Sequence, residues 1–130
     1  MSKQSGKKRI LLVDNDLDNS AMFRLGLEDD DGFKVNVYNG PELALSAFKP
    51  NFYDLLILDI KMPKINGYEL YGKLNKMDDK VKICFLTASL DEYKEEYRAN
   101  FASSNFTDCF LVKPITIDDL IKKVNEMIQK

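Results

Sequence analysis

Leu55-Leu56-Ile57-Leu58-Asp59, the most apolar run of the chain, stops on a carboxylate, and three other runs also end on a polar residue. These are Ile10-Leu11-Leu12-Val13-Asp14, Cys84-Phe85-Leu86-Thr87 and Phe110-Leu111-Val112-Lys113. Continuous apolar runs of this length read as strands buried on both faces, which is the habit of a parallel sheet covered by helices. If the four runs lie in one such sheet, their carboxyl ends share the edge at which open α/β sheets bind ligands. Two carboxylates, a hydroxyl and an ammonium then converge in one mixed-charge pocket.

Working outward, strand-like and helix-like segments alternate along the whole chain, as a βαβ-built sheet requires. Strands are predicted near 9–13, 33–38, 54–58, 82–86 and 109–112, and helices near 17–29, 41–49, 67–76, 90–103 and 116–129. The second strand, Phe33-Lys34-Val35-Asn36-Val37-Tyr38, alternates apolar with polar residues and reads as an edge strand. Gly32 fits the end of the first helix, Pro41 a first helical position after Asn39-Gly40, and Ser89 with Glu92 a capping box opening the fourth helix. Ser103-Ser104-Asn105 suits that helix's end. Tyr93, Tyr97 and Phe101 recur every fourth residue on it and read as a face packed on the sheet; a docking surface flanked by Asp91, Glu92, Glu95 and Glu96 is the sharper alternative.

Composition bounds the function. The 130 residues fit one domain, 45% are hydrophobic and 31% charged, as in a soluble globular protein. A net charge of -2 and a pI near 5.2 argue against a nucleic-acid surface, because duplex affinity rests on neutralising phosphates. The basic stretch before Asp14 contains only four consecutive apolar residues, too few for a signal-peptide core or a membrane span. Residues 1–8 are expected to be flexible and 9–130 to form the domain. Cys84 and Cys109 sit inside apolar runs without metal-ligand spacing, and the chain has no histidine. Buried free thiols are expected, with a disulfide or a zinc site as the lesser alternatives.

Asp14-Asn15-Asp16-Leu17-Asp18 can supply oxygen ligands to a hard cation such as Mg²⁺. The same acids also suit a helix N-terminus, and Asp18 is read that way. An EF-hand loop starting at Asp14 fails, since its sixth position is Asn19 and its twelfth Leu25. Asp59 beside a bound metal can attack a phosphoryl group. Two carboxylates about 4 Å apart repel by roughly 4 kcal/mol at an effective dielectric of 20, so a cation between Asp14 and Asp59 is expected. The Thr87 hydroxyl and the Lys113 ammonium can each take an oxygen of a phosphoryl group.

With Val13-Asp14, Asp59-Ile60-Lys61-Met62-Pro63 followed by Gly67, Thr87-Ala88 and Lys113-Pro114 in this order, the chain resembles a response regulator receiver domain of two-component signalling, from about Arg9 to Gln129. The resemblance implies a flavodoxin-like (βα)5 fold, a doubly wound five-stranded parallel sheet of order 2-1-3-4-5. It implies Asp59 as phosphoryl acceptor, and Mg²⁺ held by Asp14, Asn15, Asp59 and the Lys61 backbone carbonyl. Thr87 and Lys113 match the phosphoryl-sensing positions and Phe110 the aromatic switch; Asp16 and Ser89 are candidate modulators. A cis Lys113-Pro114 bond is also implied. The partners implied are a histidine kinase or phosphotransfer protein, whose histidine acts in trans, and a downstream effector, with no membrane or nucleic-acid contact by this domain and a cytoplasmic location. The chain then reads as a stand-alone signalling switch, not an enzyme beyond assisting its own phosphorylation and dephosphorylation.

Asn15 departs from the pattern, since a carboxylate usually stands there, and weaker Mg²⁺ affinity is expected. The segment from Thr87 to Lys113 is also a few residues longer than usual. Two alternatives follow from the residues: a pseudo-receiver that only binds protein, or a haloacid-dehalogenase-like phosphatase with Asp14 as nucleophile and Asp16 as acid.

Overall fold

Helix and strand formation follow the polarity pattern closely. The structure is a computed structural model that describes residues 7–29, 32–88 and 109–129. Five strands, β1 (Lys8–Val13), β2 (Phe33–Tyr38), β3 (Leu55–Asp59), β4 (Lys82–Thr87) and β5 (Phe110–Val112), alternate with the described helices. These are α1 (Leu17–Glu28), α2 (Pro41–Ala47), α3 (Gly67–Met77) and α4 (Ile117–Gln129). All strand pairs are parallel and the order is β2-β1-β3-β4-β5. The predicted fold class and order are therefore found.

Because successive strand side chains point to opposite faces, each apolar run feeds two cores. Leu11, Val13, Leu56, Leu58 and Phe85 join Leu70 and Leu74 of α3 on one face. Ile10, Leu12, Leu55, Ile57 and Leu86 join Phe23 of α1 and Val124 of α4 on the other. All five residues of β3, the central strand, are buried. β2 exposes Lys34 and buries Phe33 and Val35, as an edge strand should. β5, the opposite edge, is only three residues long and leaves Val112 43% exposed, so it is not buried on both faces as its apolar sequence led us to expect.

Caps set the helix boundaries. Asp16 caps α1, its carboxylate accepting the Asp18 and Asn19 N–H groups at 3.0 and 3.1 Å. Asn66 and Glu69 form a reciprocal capping box on α3. The box expected at Ser89 and Glu92 lies outside the described residues, as do the fourth predicted helix, its aromatic stripe and Ser103–Asn105. α2 begins on Pro41 as predicted but ends at Ala47, with Phe48 extended. Pro50 disfavours helix at Lys49, which accounts for the earlier end.

One expectation is corrected. The register that pairs Phe85 with Phe110 sets the preceding residues, Cys84 and Cys109, side by side with Cα atoms 4.6 Å apart, and they form a disulfide rather than free thiols. No helix among the described residues is long and apolar enough to cross a membrane.

Candidate functional site

β1 and β3 are neighbours whose connections leave in opposite directions, β1 towards β2 and β3 towards β4. This is a topological switch point, and the crevice beyond the strands' carboxyl ends is where such sheets take ligands. Val13 pairs with Leu58, so Asp14 and Asp59 emerge next to one another. Both are buried, Asp14 completely and Asp59 to 6% exposure, although each follows an apolar strand that could have ended in solvent.

Lys113 reaches them from the carboxyl end of β5, two strands along the same edge from β3. Its backbone N–H donates to the Thr87 carbonyl at 2.8 Å, which extends the β4–β5 ladder by one residue. From there the ammonium lies 3.3 Å from Asp14 Oδ2 and 3.2 Å from Asp59 Oδ2. The Lys113-Pro114 bond that follows is cis. Thr87, at the end of β4, is also buried.

The electrostatics follow from burial. Desolvation, then contact with the Asp14 carboxyl and its charge, pushes the Asp59 pKa up from 3.8 to about 6, against the pull of Lys113. Burial acts to lower the Lys113 pKa, but the Asp59 and Asp14 charges outweigh it and the ammonium is held above its ordinary value. One cation therefore serves two buried carboxylates.

Asp14 Oδ1 accepts the Asp16 N–H at 3.0 Å, whereas Asp14 Oδ2 is buried with no hydrogen-bond partner among the described residues and lies in the ion pair with Lys113. A buried carboxylate oxygen left in this way fits a hard cation. Among the described residues no three His, Cys, Asp or Glu side chains cluster as a metal site. The donor set is accordingly two carboxylates, to be completed by neutral oxygens and water, as Mg²⁺ accepts. Asn15 and Lys61 flank the two carboxylates in sequence and are exposed.

The other predicted residues fall outside this cluster or at its rim. Asp16 is occupied as the α1 cap, which leaves it poorly placed as the general acid of a phosphatase. Ser89 lies outside the described residues. Phe110 is half-buried on β5, its ring 5.8 Å from Phe85, which in turn contacts Tyr68 of α3 edge to face at 4.8 Å. An aromatic chain thus links α3 to β5 through β4.

Two residues matter more than their sequence context indicated. Gly67 opens α3 directly under the loop that follows Asp59; a Cβ there would lie 2.5 Å from the Asp59 carbonyl oxygen. Asn39, read only as part of a turn, donates from Nδ2 to the Asp14 carbonyl at 2.8 Å.

A family model described as the response regulator receiver domain matches residues 10–125. The transcriptional regulatory protein PrrA of Mycobacterium tuberculosis is 33% identical over 125 residues, covering 94% of this chain and 50% of PrrA. The probable transcriptional regulator ycf29 of Pyropia yezoensis is 35% identical over 128 residues, covering 94% of this chain and 54% of that protein. The chain spans about half the length of such curated relatives. Among solved structures, response regulator TrrA from Thermotoga maritima, in complex with Mg²⁺-BeF, is 32% identical with a TM-score of 0.71, covering 92% of this chain and 98% of TrrA.

Proposed function

The chain belongs to the response regulator receiver domain family of two-component signalling, and on that premise we propose that Asp59 accepts a phosphoryl group and that the resulting charge drives a conformational switch. The observation that carries this reading is the convergence of Asp14, Asp59 and Lys113 at the β1–β3 crevice, with one buried Asp14 oxygen left for a cation. Asp14, Asp59, the Asn15 amide oxygen and the Lys61 carbonyl would hold Mg²⁺; the Mg²⁺-BeF complex of TrrA supports that choice of ion. When bound, the ion supplies positive charge to the transferring phosphoryl oxygens.

The remaining chemistry belongs to the chain. An Asp59 carboxylate oxygen attacks phosphorus, an O–P bond forms, and the bond from phosphorus to the donor breaks with its electron pair leaving on the donor. Lys113, held by two carboxylates beforehand, is then drawn to the new phosphoryl oxygens, and Thr87 donates its hydroxyl to another. The product exchanges a single carboxylate charge for a bulkier, more negative group, so conformations that bring Thr87 and Lys113 closer gain population. Phe110, three residues before Lys113 on β5, couples that movement to the aromatic contact with Phe85.

A histidine kinase or phosphotransfer protein supplies the phosphoryl group in trans, and a partner protein in the cytoplasm reads the switch. The receiver unit is residues 9–130, behind a flexible 1–8. Any catalysis is limited to the chain's own phosphorylation and dephosphorylation. Incubation with acetyl phosphate and Mg²⁺ is expected to add one phosphoryl group by intact mass, and none to Asp59→Asn.

Asn15 favours a second reading, a pseudo-receiver that binds protein without being phosphorylated, and absence of the adduct from folded wild type would select it. Asn15 has one negative charge fewer than the usual ligand. Asn15→Asp is therefore expected to tighten Mg²⁺ binding on the order of tenfold in an NMR titration. Equal affinities would remove Asn15 as the weak point of the site.

A further inference from the structure

The β1–β2 ladder continues one step past its last paired residues, where the Asp14 N–H donates to the Tyr38 carbonyl at 3.2 Å. The next step would bring the Gly40 N–H to the Asp14 carbonyl, but β2 has ended at Tyr38 and the chain turns away there, Gly40 serving as the N-cap of α2. The Asn39 side chain fills the place. Its Nδ2 donates to the Asp14 carbonyl at 2.8 Å and also to Ser20 Oγ at 3.0 Å. Ser20 is buried, and its hydroxyl donates to the Leu17 carbonyl in the first turn of α1 at 3.1 Å. Both amide protons are thus engaged, and one side chain joins the ends of β1 and β2 to the start of α1.

The peptide group from the Asp14 carbonyl to the Asn15 nitrogen is planar and rigid. Holding the Asp14 carbonyl therefore sets the plane from which Asn15 departs, while the Ser20 contact fixes where the loop re-enters the helix. We propose that Asn39 is a positioning residue for the cation, presetting Asp14 and Asn15 as ligands without touching the ion. This rests on the reading of the site given above. It also gives a physical reason for an exposed Asn15 to act at all: a neutral ligand contributes little charge, so its effectiveness depends on being held in place beforehand.

The test is an NMR-monitored Mg²⁺ titration of the full chain. Asn39→Leu keeps the approximate shape and removes both donors, and Asn39→Ala removes shape as well. Both are expected to weaken Mg²⁺ binding by roughly three- to tenfold, the range of a lost hydrogen bond. Ser20→Ala, which deletes one acceptor, should weaken it less and in the same direction. Met127→Ala, in the α4 core away from the site, should lower the thermal midpoint and leave Mg²⁺ affinity unchanged. Wild-type affinity in Asn39→Leu, or in Ser20→Ala should Asn39→Leu fail to fold, overturns the proposal, as does an equal loss in Met127→Ala. A wild type that shows no saturable Mg²⁺ shifts defeats the metal site itself, and the proposal with it.

Discussion

At pH 7 and in the presence of a chelator, Asp59→Asn is expected to be more stable than the wild type by on the order of 1–3 kcal/mol, with the advantage gone near pH 4. The cause is the crowding of Asp59 by burial and by Asp14, which raises its pKa from 3.8 to about 6. In the unfolded chain the group returns to its ordinary value. Below about pH 4 it is protonated in both states, and no ionisation penalty applies. Above about pH 6 it is ionised in both, and the folded state bears the whole penalty. Between these limits the folded chain holds a proton that the unfolded chain has released, so wild-type stability falls as the pH rises. The raised pKa sets a ceiling of about 3 kcal/mol at 1.36 kcal/mol for each tenfold in proton affinity. The substitution leaves a polar amide buried where the carboxylate was, so the gain should fall below that ceiling. Urea denaturation at several pH values measures it. A gap between variant and wild type that narrows from pH 4 to pH 7 would show that Lys113 already neutralises the pair. Under the proposed function, a bound Mg²⁺ would relieve the same repulsion that the amide removes.

The strand ends were legible because a parallel sheet covered on both sides leaves a strong local mark. Ile10–Val13 and Leu55–Leu58 are uninterrupted, so the first polar residue after each, Asp14 or Asp59, stands out. What pairs with what was less legible, since it depends on register. Cys84 and Cys109 are separated by 25 positions and meet only because β4 and β5 align Phe85 with Phe110. Asn39-Gly40-Pro41 carries a turn signal strong enough to account for Asn39 locally, and nothing nearby marks its amide as a contact of Asp14. The acidic residue Asp16 was ambiguous between ligand and cap; its hydrogen bonds to Asp18 and Asn19 settle it as a cap. Tertiary placement, not residue type, distinguishes these cases.

Gly67 is where tertiary placement should have its largest effect on stability, and where two physical effects predict opposite signs. Glycine is a poor helix former, and replacing it with alanine in a helix interior gains up to about 1 kcal/mol. Against this, a Cβ at Gly67 would lie 2.5 Å from the Asp59 carbonyl oxygen, 2.9 Å from Ile60 Cα and 3.1 Å from the Asp59 carbonyl carbon. All three are backbone atoms of β3's end and cannot rotate away. The Gly67 N–H also donates to the Ile60 carbonyl at 2.9 Å, which ties the helix start to the next peptide along. To relieve the overlap α3 must retreat, loosening Tyr68, Leu70, Tyr71 and Leu74, all buried on its inner face. Overpacking of this kind costs about 1–3 kcal/mol and occasionally more. Being the first residue of its helix, Gly67 also gains less from alanine than an interior position would. Gly67→Ala is therefore expected to destabilise by about 1–3 kcal/mol, and Gly67→Val, with two further methyl groups and a stiff χ1, by more. Denaturation midpoints give the sign, and acetyl phosphate labelling of the folded fraction shows whether the displaced Asp59 peptide also slows phosphorylation. If Gly67→Ala proves more stable than the wild type, helix propensity has won, and α3 can shift without disturbing the loop after Asp59.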